Sequence, residues 1–202
     1  MTNSEIPYYP FDPKTAKTIV LEDVECFKYL PESVYLQTVA RLASEIDPEN
    51  SIIVYNLKGA QMVALDILKS WQEAGKDLSQ TLLFSIECKS SDSNQTSGHV
   101  RWVKEFDNGF VKERKVIVIE DIGDSNGVIT AIVQAAHQAG ASTVETAVLT
   151  RKVNRPGQLA HQYDYVGVNI DNVWVGGWGM DFGTPDVKPD FPRSSKILVV
   201  KK

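Results

Sequence analysis

One stretch limits what this chain can fold into more than any other: Lys115-Val-Ile-Val-Ile-Glu-Asp-Ile-Gly-Asp-Ser-Asn-Gly-Val128. Val116 to Ile119 is an unbroken, β-branched apolar run, the pattern of a strand buried on both faces of a parallel sheet. Three carboxylates follow, at Glu120, Asp121 and Asp124, then the polar turn Ser125-Asn126-Gly127. Val128 to Ala139 repeats apolar residues at helical spacing, with Val128, Ile129, Ile132, Val133 and Ala136 on one face and Gly140 as the stop. Loop amides and a helix N-terminus make an anion site. Carboxylates beside it suit a metal ion or sugar hydroxyls, so a phosphate next to a ribose or a cation is the natural ligand. The plain alternative is a strand-to-helix turn that binds nothing, which is common in doubly wound sheets.

The rest of the chain alternates strand and helix patterns. Residues 1–13 are polar, aromatic and proline-rich and read as an arm on the body or on another subunit. Thr18 to Val24 reads as an edge strand. Pro31 opens a helix whose apolar spacing runs through Val34, Val39, Leu42 and Ile46, and Pro48 ends it. Ile52 to Tyr55 is a buried strand, Leu57-Lys58-Gly59 a turn, and Ala60 to Trp71 a helix with Met62, Val63, Leu65, Ile67 and Leu68. A lysine between strand and helix suits an anion, or is simply a solvated surface group. Gln80 to Cys88 is a strand, and Ser90 to Gly98 is polar without core-forming residues, the composition of a lid or of a hairpin tip. His99 to Phe106 is a strand and Asn108-Gly109 a turn. Thr143 to Leu149 is a strand ending in Arg151 and Lys152, Tyr163 to Val168 another, and Ile197 to Val200 the last. Val173 to Phe182 mixes glycine with tryptophan, which calls for close backbone approach and an aromatic wall. The alternation gives a twisted parallel sheet flanked by helices, with ligands at the carboxyl ends of the strands.

At 202 residues the chain is one domain with room for a substantial core. A net charge of −5 argues against a general nucleic-acid or membrane binder. Cys26 and Cys88 are too few for a disulfide framework and read as thiols in a reducing cytosol. No secretory leader or membrane-length apolar run is visible, so a cytoplasmic protein is expected.

Glu120-Asp-Ile-Gly-Asp-Ser-Asn-Gly127 resembles the phosphoribosyl-diphosphate (PRPP) loop of type I phosphoribosyltransferases, and Leu57-Lys58-Gly59 resembles their pyrophosphate loop. Asp164-Tyr-Val-Gly-Val168, with Trp174-Val-Gly-Gly-Trp-Gly-Met-Asp181, resembles the purine hood of the hypoxanthine-guanine branch. The resemblance implies a core over about residues 35–165 and a small hood from about 1–30 and 166–202. It implies a reaction in which a 6-oxopurine (hypoxanthine or guanine, with xanthine not separated from them) displaces pyrophosphate from PRPP and gives a nucleoside monophosphate.

The roles it implies are these. Glu120 and Asp121 hold the ribose hydroxyls, directly or through magnesium, and Asp124 is the base by purine N7. Amides of Ser125, Asn126, Gly127 and Val128 cradle the 5'-phosphate. Leu57-Lys58 is where the family has a non-proline cis peptide, and Lys58, Gly59 and Arg193 meet pyrophosphate. Arg151 stands where the family has a lysine on purine O6. Trp174 stacks on the base and Val175 offers backbone groups to its edge. Asp181 ligates a second Mg2+, Ser90 and Ser91 open the closing loop, and family habit implies a homodimer or homotetramer. The family's phosphate loop reads Asp-Thr-Gly-Lys/Arg-Thr/Ser, whereas this chain has Asp124-Ser-Asn-Gly-Val128, with no basic residue and no hydroxyl at its end. That difference motivates a second reading, a non-catalytic protein that senses a nucleotide or PRPP on the same fold.

Overall fold

The computed structural model describes residues 6–21, 24–90, 100–104, 109–124, 126–153, 163–180 and 196–201. In chain order the elements are β1 (Tyr8–Tyr9), β2 (Thr18–Leu21), β3 (Val24–Leu30), α1 (Glu32–Glu45), β4 (Ser51–Asn56), α2 (Gln61–Glu73), β5 (Leu82–Ser90), β6 (Val100–Lys104), β7 (Lys115–Gly123), α3 (Asn126–Gln138), β8 (Thr143–Lys152), β9 (Tyr165–Ile170), β10 (Val175–Gly176) and β11 (Leu198–Lys201). A seven-stranded sheet has the order β1-β9-β8-β7-β4-β5-β6, parallel throughout except for β6, which runs antiparallel to β5. A second, antiparallel sheet of four strands has the order β10-β11-β3-β2.

β7 lies in the middle of the large sheet, and its apolar run serves both faces. Val116 and Val118 enter the cluster under α3, while Ile117 and Ile119 enter the one shared with α1, α2 and the smaller sheet. Successive strand residues point to opposite faces, so a strand covered on both sides has to be apolar at every position. α3 buries Ile129, Ile132 and Ala136, a stripe at helical spacing that Ala139 extends just past its end. It stops at Gly140, whose φ of +88° suits glycine. α1 buries Tyr35, Val39, Leu42 and Ala43. α2 buries Val63, Ala64, Ile67 and Trp71, with the Trp71 indole N–H donating to the Ala43 carbonyl at 2.9 Å.

Three expectations shift. The edge strand over Thr18–Val24 is two strands: β2 ends at Leu21, which pairs with Val24, and β3 returns antiparallel to Leu30. In β3 Cys26 is buried and Glu25 exposed. Leu65 is 43% exposed, because the buried stripe of α2 runs through 63, 64, 67 and 71 and leaves position 65 on the outer side. The strand expected at Tyr163–Val168 spans Tyr165–Ile170, and Tyr163 instead lies over Gly123. In the N-terminal arm, Tyr8 and Tyr9 pair with Asn169 and Ile170 at the edge of the large sheet. Asp171 fastens that arm by accepting from the Tyr8 hydroxyl and, at 2.8 Å, from the Phe11 N–H.

Candidate functional site

The carboxyl ends of β4, β7 and β8 carry the candidate residues. β7 ends in Glu120, Asp121 and Gly123, and α3 begins at Asn126 after Asp124. The amides of Asn126, Gly127 and Val128 belong to the first turn of α3, where N–H groups have no intrahelical partner. This is where the sequence predicts an anion cradle. Ser125 and the side chain of Asn126 lie outside the described residues.

Glu120 shares a face with Val116 and Val118, toward α3, and is 5% exposed. Its Oε1 is buried and has no hydrogen-bond partner. Burial holds its carboxyl well above the ordinary 4.5, the neighbouring Asp121 pushes the same way, and the Asn56 amide opposes both. Asp121 points to the other side, against the Leu57–Gly59 loop. A Cβ built on Gly59 would fall 1.8 Å from Asp121 Oδ2, so any larger residue there would have to push the Asp121 carboxylate aside. The Thr150 hydroxyl, fully buried, donates to the Asp121 carbonyl at 2.8 Å and pins β8 to this turn. The peptide bond between Leu57 and Lys58 is cis, and the Lys58 side chain is exposed.

The partner of Asp124 is a residue the sequence reasoning passed over. Lys152, 6% exposed, places Nζ 3.1 Å from Asp124 Oδ2. The same ammonium lies 5.9 Å from the ring centre of Trp174, which is 45% exposed. Arg151, expected to read the base, points elsewhere: its Nε donates to Asn169 Oδ1 at 2.9 Å. Strand register was the available signal. Lys115 pairs with Thr143 and Gly123 with Arg151, so the next step sets Asp124 beside Lys152. Val175 is buried in the smaller sheet, next to Trp174. Trp178 serves the core: its ring is 5.5 Å from that of Tyr35 and its indole N–H donates to the Lys196 carbonyl at 2.9 Å. Gly179, at φ +94°, brings this segment onto the Leu57–Gly59 loop, where a Cβ would stand 2.1 Å from the Gly59 carbonyl oxygen.

Ser90 ends β5, and its side chain, with Ser91, Asp181 and Arg193, lies outside the described residues. Among the described residues no three His, Cys, Asp or Glu side chains converge to make a closed metal site. A magnesium ion needs no such cage, since it keeps several waters and takes one or two carboxylates with substrate oxygens. Asp121 at the Leu57–Gly59 loop and the unpartnered oxygen of Glu120 fit that use.

The buried Glu120 has a measurable cost. Below pH 4.5 the carboxyl is protonated in the folded and the unfolded chain alike. As pH rises the unfolded chain ionises first, and the folded state loses stability until pH passes the raised folded value. Thermal melts with a chelator present are expected to show Glu120→Gln more stable than wild type at pH 8 by about 1–3 kcal/mol. That is about 2–4 °C in Tm for each kcal/mol. The gap closes toward pH 5; a gap independent of pH would contradict the assignment.

No family profile matches the chain. It is 31% identical over 145 residues to the bifunctional protein TilS/HprT of Listeria innocua, covering 70% of this chain but 21% of the relative. The chain thus spans about a fifth of the length of such bifunctional relatives. To the hypoxanthine-guanine phosphoribosyltransferase of Bacillus subtilis it is 27% identical over 144 residues, 71% of this chain and 76% of that one. The solved structure of a lysine-to-arginine mutant of Trypanosoma cruzi hypoxanthine phosphoribosyltransferase, complexed with the product IMP, superposes with a TM-score of 0.69 at 20% identity, covering 96% of this chain and 95% of that one. The homologues and structural neighbours of this chain are hypoxanthine-guanine phosphoribosyltransferases, and its own fold is theirs, the type I phosphoribosyltransferase fold.

Proposed function

We propose that this protein transfers the 5-phosphoribosyl group from PRPP to a 6-oxopurine, hypoxanthine, guanine or xanthine, releasing pyrophosphate and a nucleoside monophosphate in purine salvage. The observation that carries this reading is the Asp124–Lys152 ion pair under the exposed ring of Trp174, beside the open first turn of α3. Those groups suit the parts of the reactants: amides for the donor's 5'-phosphate, an aromatic face for the base, an ammonium for its exocyclic oxygen and a carboxylate for its N7–H. The similarity to a phosphoribosyltransferase whose structure holds IMP supports it.

The residues divide the work as follows. The N-terminal amides of α3 hold the 5'-phosphate and so fix the sugar. Trp174 covers one face of the purine. Lys152 donates to its O6 in the role the sequence assigned to Arg151, and Asp124 takes the N7 proton as the ring becomes the nucleophile. Loss of pyrophosphate leaves positive charge on the ribose, so carboxylates placed before the reaction stabilise the transition state. Glu120 and Asp121 orient the ribose hydroxyls and hold magnesium, which when bound neutralises charge on the leaving diphosphate. Lys58 and Gly59 receive that diphosphate.

Further parts of the reading are a Mg2+ requirement, second-metal ligation by Asp181, pyrophosphate contact by Arg193, a lid beginning at Ser90-Ser91, a homodimer or homotetramer, and a cytoplasmic location. No helix among the described residues is long and apolar enough to cross a membrane. The test is a product assay with PRPP, with and without Mg2+, and each of hypoxanthine, guanine, xanthine and adenine. Monophosphate formed from a 6-oxopurine supports the reading. Silence with all four from folded protein, together with measurable nucleotide affinity, would leave the sensing protein in its place. In the same assay Lys152→Ala is expected to lower kcat/KM for 6-oxopurines about tenfold or more, the cost of a lost charge-assisted hydrogen bond of 1.5–3 kcal/mol. Arg151→Ala should change it little.

A further inference from the structure

β4 and β5 pair as parallel strands as far as Asn56 opposite Ile86. The Leu57 N–H makes the last ladder bond, 2.8 Å to the Ile86 carbonyl. There the main chain of β4 departs into the Leu57–Gly59 loop, while β5 continues to Ser90. The next β5 residue turned toward β4 is Cys88, and the main chain of β4 no longer reaches it. The side chain of Asn56 does. Its Oδ1 accepts from the Cys88 N–H at 2.9 Å, and its Nδ2 donates to the Cys88 carbonyl at 3.0 Å. The amide acts as one more peptide unit of β4, at the point where β4 itself has turned away.

The same side chain has a second neighbour. The β4–β7 register pairs Tyr55 with Ile119, so one step on sets Asn56 beside Glu120, on the same face of the sheet. Glu120 is buried there with one oxygen unpartnered. Asn56 therefore joins three parts: the root of the Leu57–Gly59 loop, the outgoing end of β5, and the carboxylate row of β7.

We propose that Asn56 is a positioning residue for the phosphoribosyl donor, its amide clamping the root of the Leu57–Gly59 loop to Cys88 and keeping that loop in register with Glu120. The assignment rests on the transfer reading above, in which loop and carboxylate meet PRPP. Only an amide of this length offers an acceptor and a donor at once to a single residue's N–H and C=O. Alanine offers neither, and aspartate offers only the acceptor while adding a charge beside Glu120.

The test compares initial rates of wild type, Asn56→Ala and Asn56→Asp. In Asn56→Ala the KM for PRPP is expected to rise about tenfold, with kcat and the purine KM changed by less than about twofold, since a loop displaced from its register costs binding of the group it holds. Asn56→Asp is expected to raise the PRPP KM at least as much. A residue that served only the fold would lower kcat with the folded fraction and leave the PRPP KM alone, and that result overturns the proposal. Amide hydrogen exchange reads the clamp without turnover. Cys88 and residues 57–59 are expected to exchange faster in Asn56→Ala, with β8 unchanged; equal exchange at Cys88 and the loop overturns the proposal. A wild type that turns over no purine refutes the transfer reading, and calorimetric titration with PRPP then decides the clamp. A Kd for PRPP raised about tenfold in Asn56→Ala keeps the assignment, and a Kd equal to wild type removes it.

Discussion

Asp124→Asn is expected to lower kcat by about 10²- to 10⁴-fold, the usual contribution of a positioned proton acceptor. Asparagine keeps the size and the hydrogen-bonding oxygen of the side chain but takes up no proton and carries no charge. Affinity for the nucleoside monophosphate is expected to fall less than about tenfold, because the groups proposed for the phosphate and the ring, the α3 amides and Trp174, are unchanged. The variant also leaves the Lys152 ammonium, 6% exposed, without the carboxylate 3.1 Å away. A buried cation without its counter-charge is costly, so a loss of about 1–3 kcal/mol in stability accompanies the loss of rate. Rate is therefore compared at a temperature well below the variant's Tm. The measurement is a pair: steady-state turnover and calorimetric nucleotide binding on the same preparation. Equal losses in both would remove Asp124 from proton transfer and make it a binding residue.

The second large effect is on architecture. Gly179→Ala is expected to destabilise the protein by about 2–5 kcal/mol and to raise the PRPP KM as well. Two costs combine. A left-handed backbone costs a non-glycine residue about 1–2 kcal/mol, and forcing a methyl into filled space adds about 1–3 kcal/mol. The obstacle is a main-chain carbonyl, Gly59 O at 2.1 Å, which has no rotamer to give way. The segment from Val175 to Met180 has to lift, or the Leu57–Gly59 loop has to sink toward Asp121, with which it is already in contact. Thermal melts check the first part. A PRPP KM equal to wild type would show that the segment lifts without moving the loop.

Most of the large sheet was legible in the chain because burial on both faces leaves a plain mark. Val116 to Ile119 reads as a strand without ambiguity, and Gly140 ends the helix after it. The Asp124 turn was legible for the same reason: polar residues between an apolar strand and an apolar helix have to be at the surface, where ligands bind. Lys152 was not, because a lysine at the end of a strand is ordinarily solvated. It is buried here by its register with Asp124, a fact about two strands rather than one. Arg151 carried the expectation from the resemblance, and its Nε meets Asn169. Asn56 was invisible on similar grounds, since its work begins where the β4–β5 ladder stops. The β2–β3 hairpin was half seen, as Thr18–Val24, because β3 pairs on its other side with β11, far along the chain.

That last pairing governs how the protein is made. β3, at residues 24–30, completes its sheet only with β11, at residues 198–201. A ribosome adding 5–20 residues per second takes on the order of ten seconds to travel from one to the other. Throughout that interval the β2–β3 hairpin presents an open strand edge. All strands of the large sheet precede β11 in the chain, so that sheet can form while the smaller sheet still waits for β11. Deletions that trim β11 should therefore leave a nascent chain whose central sheet forms while β3 remains available to pair with neighbouring chains.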